Sequence, residues 1–231
     1  MLVAMKYIDL PETDSTQEYA KKHLDTFDKD SVTCITSEYQ SSGRGPRRTA
    51  WHCPKGKGLL LSYVVFSKPQ LQFAQIACLA IAKTCIDLGL TPTVKWPNDV
   101  LISHKKLAGC MAEVADGAIV IGIGLNVLQS QEELGLIDQP ATSLSLEYGK
   151  SLFLHDVRHA LSTHLENLLP RYISEGFIPF YEQYKTLMRL SPGDTVYARI
   201  GDEKCAVFFD SLQEDGRIKV RMRNNTFRVL G

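Results

Sequence analysis

KLAGCMAEVADGAIVIGIGLNV, residues 106–127, decides the fold. Its two apolar, β-rich runs, Lys106 to Val114 and Ala118 to Val127, are broken by Asp116-Gly117, a strong signal for a tight antiparallel hairpin. A doubly wound parallel sheet is thereby disfavoured, since parallel neighbours need long crossovers. Working outward, Leu59 to Phe66 reads as a buried strand, Ser31 to Ser37 as a short β-branched one, and Met5 to Leu10 as extended. Helical spacing covers Leu71 to Leu88, stopping at Gly89, then Leu152 to Arg171 and Phe177 to Leu190. A shorter helix, from about Gln17 to Leu24, follows Asp14-Ser15-Thr16, with Ser15 or Asp14 as its cap. The expected class for residues 1–190 is α+β, a mixed sheet flanked by helices.

After Leu190 the character changes. Ser191-Pro192-Gly193-Asp194 is a turn cluster, and four short alternating runs follow near Thr195 to Ile200, Cys205 to Ser211, Arg217 to Arg221 and Thr226 to Leu230. Gly201-Asp202, Glu214-Asp215-Gly216 and Asn224-Asn225 separate them as hairpin turns. Residues 191–231 are therefore expected to form a small β-barrel-like module that leans on the main domain, because so small a core is marginal alone.

At 231 residues the chain fits one large domain with a small appendage. Lys plus Arg is 26 and Asp plus Glu is 26, so the net charge is zero and no global field favours nucleic acid or a membrane surface. An anionic ligand must be met by local charge. The N-terminus lacks the pattern of a signal peptide, and no apolar stretch approaches the roughly 20 residues of a membrane span; the expected location is cytoplasmic. The six cysteines include no Cys-x-x-Cys pair and no His at zinc spacing, so reduced, structural thiols and no protein metal cage are expected.

Three stretches carry polar chemistry. Val94-Lys95-Trp96-Pro97-Asn98-Asp99-Val100, with Lys106 and Gly109 beyond it, sets lysines, an amide and a carboxylate around a proline turn between two extended pieces. Lys105 and Lys106 are strand neighbours, so one of them faces inward; the pattern leaves open which. Tyr39 to Trp51 contains Gly43-Arg44-Gly45-Pro46-Arg47-Arg48, where glycines permit close backbone approach, arginines suit phosphate or carboxylate, and Trp51 can stack on a flat ring. Gly-Arg-Gly alone favours a solvated basic loop. Gly122-Ile123-Gly124-Leu125-Asn126 lacks the third glycine and following helix of a dinucleotide fingerprint, and close strand packing explains its glycines. No Gly-x4-Gly-Lys-Ser/Thr sequence is present, which disfavours a P-loop ATPase.

In order, Asp14-Ser15-Thr16-Gln17, Gln40 with Gly43-Arg44-Gly45 and Trp51, Lys95 to Asp99 with Lys106 to Gly109, and Gly122 to Asn126 resemble the biotin protein ligases across nearly the whole chain. The resemblance implies a class II synthetase-like catalytic domain with a C-terminal SH3-like barrel. It implies biotinyl-5′-AMP formation from biotin and ATP, then transfer to a lysine of a biotin carboxyl carrier protein, an acetyl-CoA carboxylase subunit, or another carrier domain. Ser15, Thr16 and Gln40 would hydrogen-bond the ureido ring, with Gln17 and Gly109 also in the biotin site. Gly43, Arg44, Gly45 and Pro46 would close over biotin and adenylate, and Lys106 would bridge carboxylate and α-phosphate. Trp51, Asn98 and Asn126 would line the nucleotide side together with Arg44 and Lys106. Lys106, Arg44 and Asp99 are the implied catalytic set, with Mg2+ carried on the ATP phosphates.

Two departures stand out. Where the family's loop continues with a basic residue and a Gly-Arg pair, this chain has Pro46 and Arg48-Thr49, so an amide is lost. The motifs also begin by residue 14, which implies a monofunctional ligase without the family's helix-turn-helix repressor domain. A homodimer is left open. A lipoate ligase or acyltransferase, and a non-catalytic biotin sensor, are the rival readings.

Overall fold

Two sheets take up the alternating apolar runs. In chain order the elements are β1 (Met5–Leu10), α1 (Thr16–Lys22), β2 (Val32–Ser37), β3 (Gly58–Val65), α2 (Phe73–Asp87), β4 (Pro92–Lys95), β5 (Asp99–Ile102), β6 (Lys105–Ala115), β7 (Ala118–Asn126), α3 (Gln131–Leu134), α4 (Leu144–Tyr148), α5 (Leu154–Glu175), α6 (Tyr181–Met188), β8 (Thr195–Ile200), β9 (Glu203–Leu212), β10 (Ile218–Arg221) and β11 (Phe227–Leu230). This computed structural model describes residues 5–45, 49–68, 70, 72–201 and 203–231, apart from the side chain of Lys204. Pro46, Arg47 and Arg48 lie outside the described residues.

β6 and β7 form the expected hairpin, paired down to Ala115↔Ala118. Asp116 and Gly117 have φ of 43° and 78°, the left-handed pair that the tight turn requires. The main sheet runs β1-β2-β3-β7-β6-β5-β4, with β1 and β2 parallel and the remaining neighbours antiparallel. It is a mixed sheet flanked by helices, as expected. Ser15 caps α1, its Oγ accepting from the Glu18 amide at 3.5 Å. α3 and α4, four and five residues long, have no counterpart in the periodic pattern, because one turn of helix shows no period.

The two faces of the sheet are not equivalent. Leu59, Leu61 and Tyr63 of β3, Ile121, Ile123 and Leu125 of β7, and Cys110 of β6 join one core with α2 and α5. α2 is apolar almost all round because it is sandwiched between the sheet and α5. On the opposite face α1 covers only one end, packing Ala20, together with Leu24 of the turn that follows the helix, against Ile35, Val64 and Val120. The uncovered remainder presents Ser62, Gly122 and Met111 in one register row and Gly124 and Gly109 in the next. Ser62 and the glycines at 109, 122 and 124 leave a hollow beside Met111 where larger apolar side chains would have filled the face.

β8 to β11 form a four-stranded antiparallel sheet in the order β11-β10-β9-β8. Its inward Ala198, Val207, Phe209, Ile218 and Val220 belong to the same core cluster as α2 and α5, so the C-terminal sheet does lean on the main one. Burial pushes the Cys34 and Cys85 thiols up to about 12, consistent with structural roles.

Candidate active site

A cavity of about 230 Å³ opens over the hollow of the sheet. At one end sits a hydrogen-bonded set of uncharged polar groups. The Gln40 Oε1 accepts from the Thr16 amide (2.7 Å) and the Thr16 hydroxyl (3.0 Å), while the Ser62 hydroxyl lies 2.9 Å from Thr16 Oγ1 and 3.0 Å from Gln17 Oε1. Gln17 Nε2 donates to the Val120 carbonyl (2.9 Å) and to Glu113 (3.1 Å), which also meets Lys21 at 3.2 Å. Thr16, Gln17 and Ser62 are buried, so their polar atoms are held by one another and by the cavity. Ser62 was not among the residues expected from sequence. Its signal is a lone serine inside the apolar run Leu59 to Val65.

At the other end stands charge. Asp99 starts β5 opposite Gly109 of β6, and its Oδ1 is 2.8 Å from Lys106 Nζ; each side chain is 19% exposed. The bulge between Val100 and Leu101 sets this register. Lys106 is thus the inward one of the two lysines, while Lys105 reaches Glu147 at 2.7 Å. Asn98 Nδ2 donates to the Cys110 carbonyl at 2.6 Å, and the Cys110 amide returns a bond to the Asn98 carbonyl at 2.8 Å. The Trp96–Pro97 peptide is cis.

From the stretch before β3, Gln40, Arg44, Gly45, Thr49, Ala50 and Trp51 line the cavity. Arg44 bridges Ala50, and the Trp51 amide donates to the Gly43 carbonyl at 2.9 Å. The Trp51 ring lies against the backbone of Gly124 and Gly109, with Lys106 Nζ at 5.6 Å from its centroid. Its indole N–H is buried without an acceptor among the described residues.

Of the residues expected at a site, Ser15, Thr16, Gln17, Gln40 and Gly45 line this cavity, as do Arg44, Trp51, Asn98, Asp99, Lys106 and Gly109. Gly43 lines a neighbouring pocket beside His52. Pro46 falls outside the described residues. Asn126 does not reach the cavity: it is 2% exposed, its Nδ2 donates to the Thr142 carbonyl and its Oδ1 accepts from Gln129, both at 3.0 Å. It braces residues 129–142, whose Gln139 lines the cavity.

That segment has a second brace. The Lys106 amide and carbonyl bond the Pro140 carbonyl and the Thr142 amide, and Glu147 accepts from Lys105 (2.7 Å) and the Thr142 hydroxyl (2.6 Å). Burial raises the Glu147 carboxyl, but the Lys105 and Thr142 hydrogen bonds outweigh it and the net shift is downward. A lowered folded pKa gives stability that is complete above the unfolded carboxylate range and is lost as pH falls through the folded value. Glu147→Gln is therefore expected to lower stability more at about pH 6 than at about pH 3, by roughly 0.5 kcal/mol for so partly exposed a group. Urea denaturation at the two pH values checks this; an equal loss at both would contradict it.

A model of the biotin/lipoate A/B protein ligase family matches residues 10–128. The chain belongs to that family. It is 32% identical to the bifunctional ligase/repressor BirA of Escherichia coli, over 91% of this chain and 70% of that one. It is 26% identical to the biotin–[acetyl-CoA-carboxylase] ligase of Paracoccus denitrificans, over 92% of each. Against the ligase/repressor relatives as a group it spans 49–70% of their lengths. A solved biotin protein ligase from Aquifex aeolicus, in complex with biotin and ATP, superimposes with a TM-score of 0.82 at 25% identity, covering 97% of this chain and 95% of that one. Within this family fold, the described residues include no helix long and apolar enough to cross a membrane.

Proposed function

We propose that this chain is an ATP-dependent biotin protein ligase that makes biotinyl-5′-AMP and passes biotin to a lysine of a biotin carboxyl carrier domain, such as that of acetyl-CoA carboxylase. The observation that carries this is the single cavity joining the Thr16–Gln40–Ser62–Gln17 set to the Lys106–Asp99 pair. A cyclic urea offers one carbonyl and two N–H groups, which such amides and hydroxyls can bond by exchanging partners among themselves; the apolar ring of a lipoyl group offers them no hydrogen-bonding partner.

In the first half-reaction a carboxylate oxygen attacks the α-phosphorus and the bond to the bridging oxygen breaks, releasing pyrophosphate. Two anions must meet, so a fixed cation at the meeting point lowers the barrier. Lys106 is that cation, steadied by Asp99 and the Trp51 face, and Arg44 adds a second from the loop. ATP enters as its magnesium complex; among the described residues no cluster of three or more His, Cys, Asp or Glu forms a cage, so phosphate oxygens and water would hold the ion. Trp51, Asn98 and the Asn126-braced segment bound the nucleotide end. In the second half-reaction a neutral carrier lysine attacks the acyl carbon and AMP leaves. Asp99, already bonded to Lys106, orients the incoming amine.

Pyrophosphate exchange driven by biotin and not by lipoate, together with transfer of labelled biotin to a purified carrier domain only when ATP is present, would establish this reading. Exchange driven by lipoate, or tight biotin binding without any transfer, would overturn it.

A further inference from the structure

The turn at residues 96–98 carries Asn98 and leads into Asp99, and it is held from three sides. Asn98 is bonded both ways to Cys110, as above. The Pro97 carbonyl accepts from the buried Tyr184 hydroxyl of α6 at 2.9 Å. The third tether comes from the C-terminal sheet. The carbonyl of Gly216, in the β9–β10 turn, accepts the Trp96 indole N–H at 3.1 Å and Gln75 Nε2 of α2 at 2.8 Å.

That turn is built to deliver this carbonyl. Gly216 has φ of 78°, and a Cβ there would lie 2.4 Å from Gln75 Oε1 and 2.7 Å from Gln72 Cγ. Its amide is fixed on the Gln213 carbonyl at 2.9 Å, and the Gln213 amide on the Arg217 carbonyl at 2.8 Å. Trp96 and Gly216 line a groove of about 700 Å³ between the two sheets that shares Asn98 and Met111 with the catalytic cavity. The groove, the turn and the cavity are therefore contiguous.

We infer that the C-terminal sheet is a positioning element of the catalytic centre, acting through the Gly216 carbonyl on Trp96, which fixes the turn carrying Asn98 and Asp99 against Lys106. Trp96 is a positioning residue: its ring lies in the groove, and its effect passes along three residues of backbone to Asp99. The inference rests on the ligase reading. It also separates the two ends of the cavity, because the hydrogen bonds that join Thr16, Gln17, Gln40 and Ser62 to one another involve none of residues 96–98.

The test is Trp96→Phe, which keeps a ring and removes the donor. Biotin affinity by calorimetry and KM for biotin are expected to stay within about twofold, while kcat for biotin-dependent pyrophosphate exchange falls roughly tenfold or more, as displacing a catalytic group by a fraction of an ångström does. Gln75→Leu removes the other donor from the same carbonyl; it is expected to lower the melting temperature with kcat little changed. A Trp96→Phe enzyme with wild-type kcat and only a lower melting temperature would overturn the inference, as would an equal loss of kcat in Gln75→Leu. The chain has only two tryptophans, so Trp51→Phe assigns both indole resonances and gives a readout on the wild type if Trp96→Phe does not fold. The Trp96 indole signal is expected to move when biotin and a non-hydrolysable ATP analogue bind together; a response confined to Trp51 would overturn the inference. Wild-type protein with no exchange at all would remove the ligase reading itself and this inference with it.

Discussion

Replacing Lys106 by alanine is expected to cut biotin-dependent pyrophosphate exchange by about 10²–10³-fold, the range seen when one preorganised group facing developing charge is removed. The fold should survive. The structural bonds of Lys106 are made by its backbone, to Pro140 and Thr142, and its side chain is 19% exposed. The loss has two parts: the cation between carboxylate and phosphate is gone, and Asp99 is left as an uncompensated anion beside two more. Lys106→Ala combined with Asp99→Ala is therefore expected to recover part of the lost rate, a coupling that a double-mutant cycle reads directly. Wild-type-like exchange in the single variant would sink the assignment of Lys106.

Gly124→Ala should do most damage per atom added. A Cβ there would stand 2.4, 2.7 and 2.8 Å from three atoms of the Trp51 ring. β7 is hydrogen-bonded on both sides, to β3 and β6, so the strand cannot retreat and the ring must move. Overpacking of this kind costs about 1–3 kcal/mol, and the displaced ring either fills the cavity or leaves it open. Binding of ATP by calorimetry is expected to weaken by at least tenfold, roughly the effect of 1.4 kcal/mol. Gly109→Ala meets Trp51 and Lys106 only at 3.2–3.3 Å and should be milder. Unchanged ATP binding in Gly124→Ala would show that the Trp51 position is irrelevant to the site.

Much of the architecture was legible in the sequence because it rests on local signals. Asp116-Gly117 marks its turn through a backbone conformation that few residues adopt, and Ser15 marks a helix start by capping it. The order of polar motifs was sufficient to suggest the family. Other features had no local signal. α3 and α4 are too short to show a period, and Ser62 is one serine in an otherwise largely apolar strand, ambiguous until its neighbours Thr16 and Gln17 are seen 45 or more positions away in sequence. Asn126 shows the converse: the resemblance put it on the nucleotide side, whereas its amide, at the end of the central strand β7, is bonded to Thr142 and Gln129 and braces residues 129–142.

The sequence by itself determined the hairpins, the helix starts, the apolar strands and the set of polar residues available, since each depends on spacing or on a turn's allowed backbone angles. The tertiary structure decided which of Lys105 and Lys106 meets Asp99, because a bulge in β5–β6 pairing sets the face each lysine presents. It also decided that the C-terminal sheet reaches the turn that carries Asn98, through one carbonyl 120 residues from the indole whose N–H it accepts. Long-range contacts of that kind depend on how separate elements pack, and no window of sequence contains both partners.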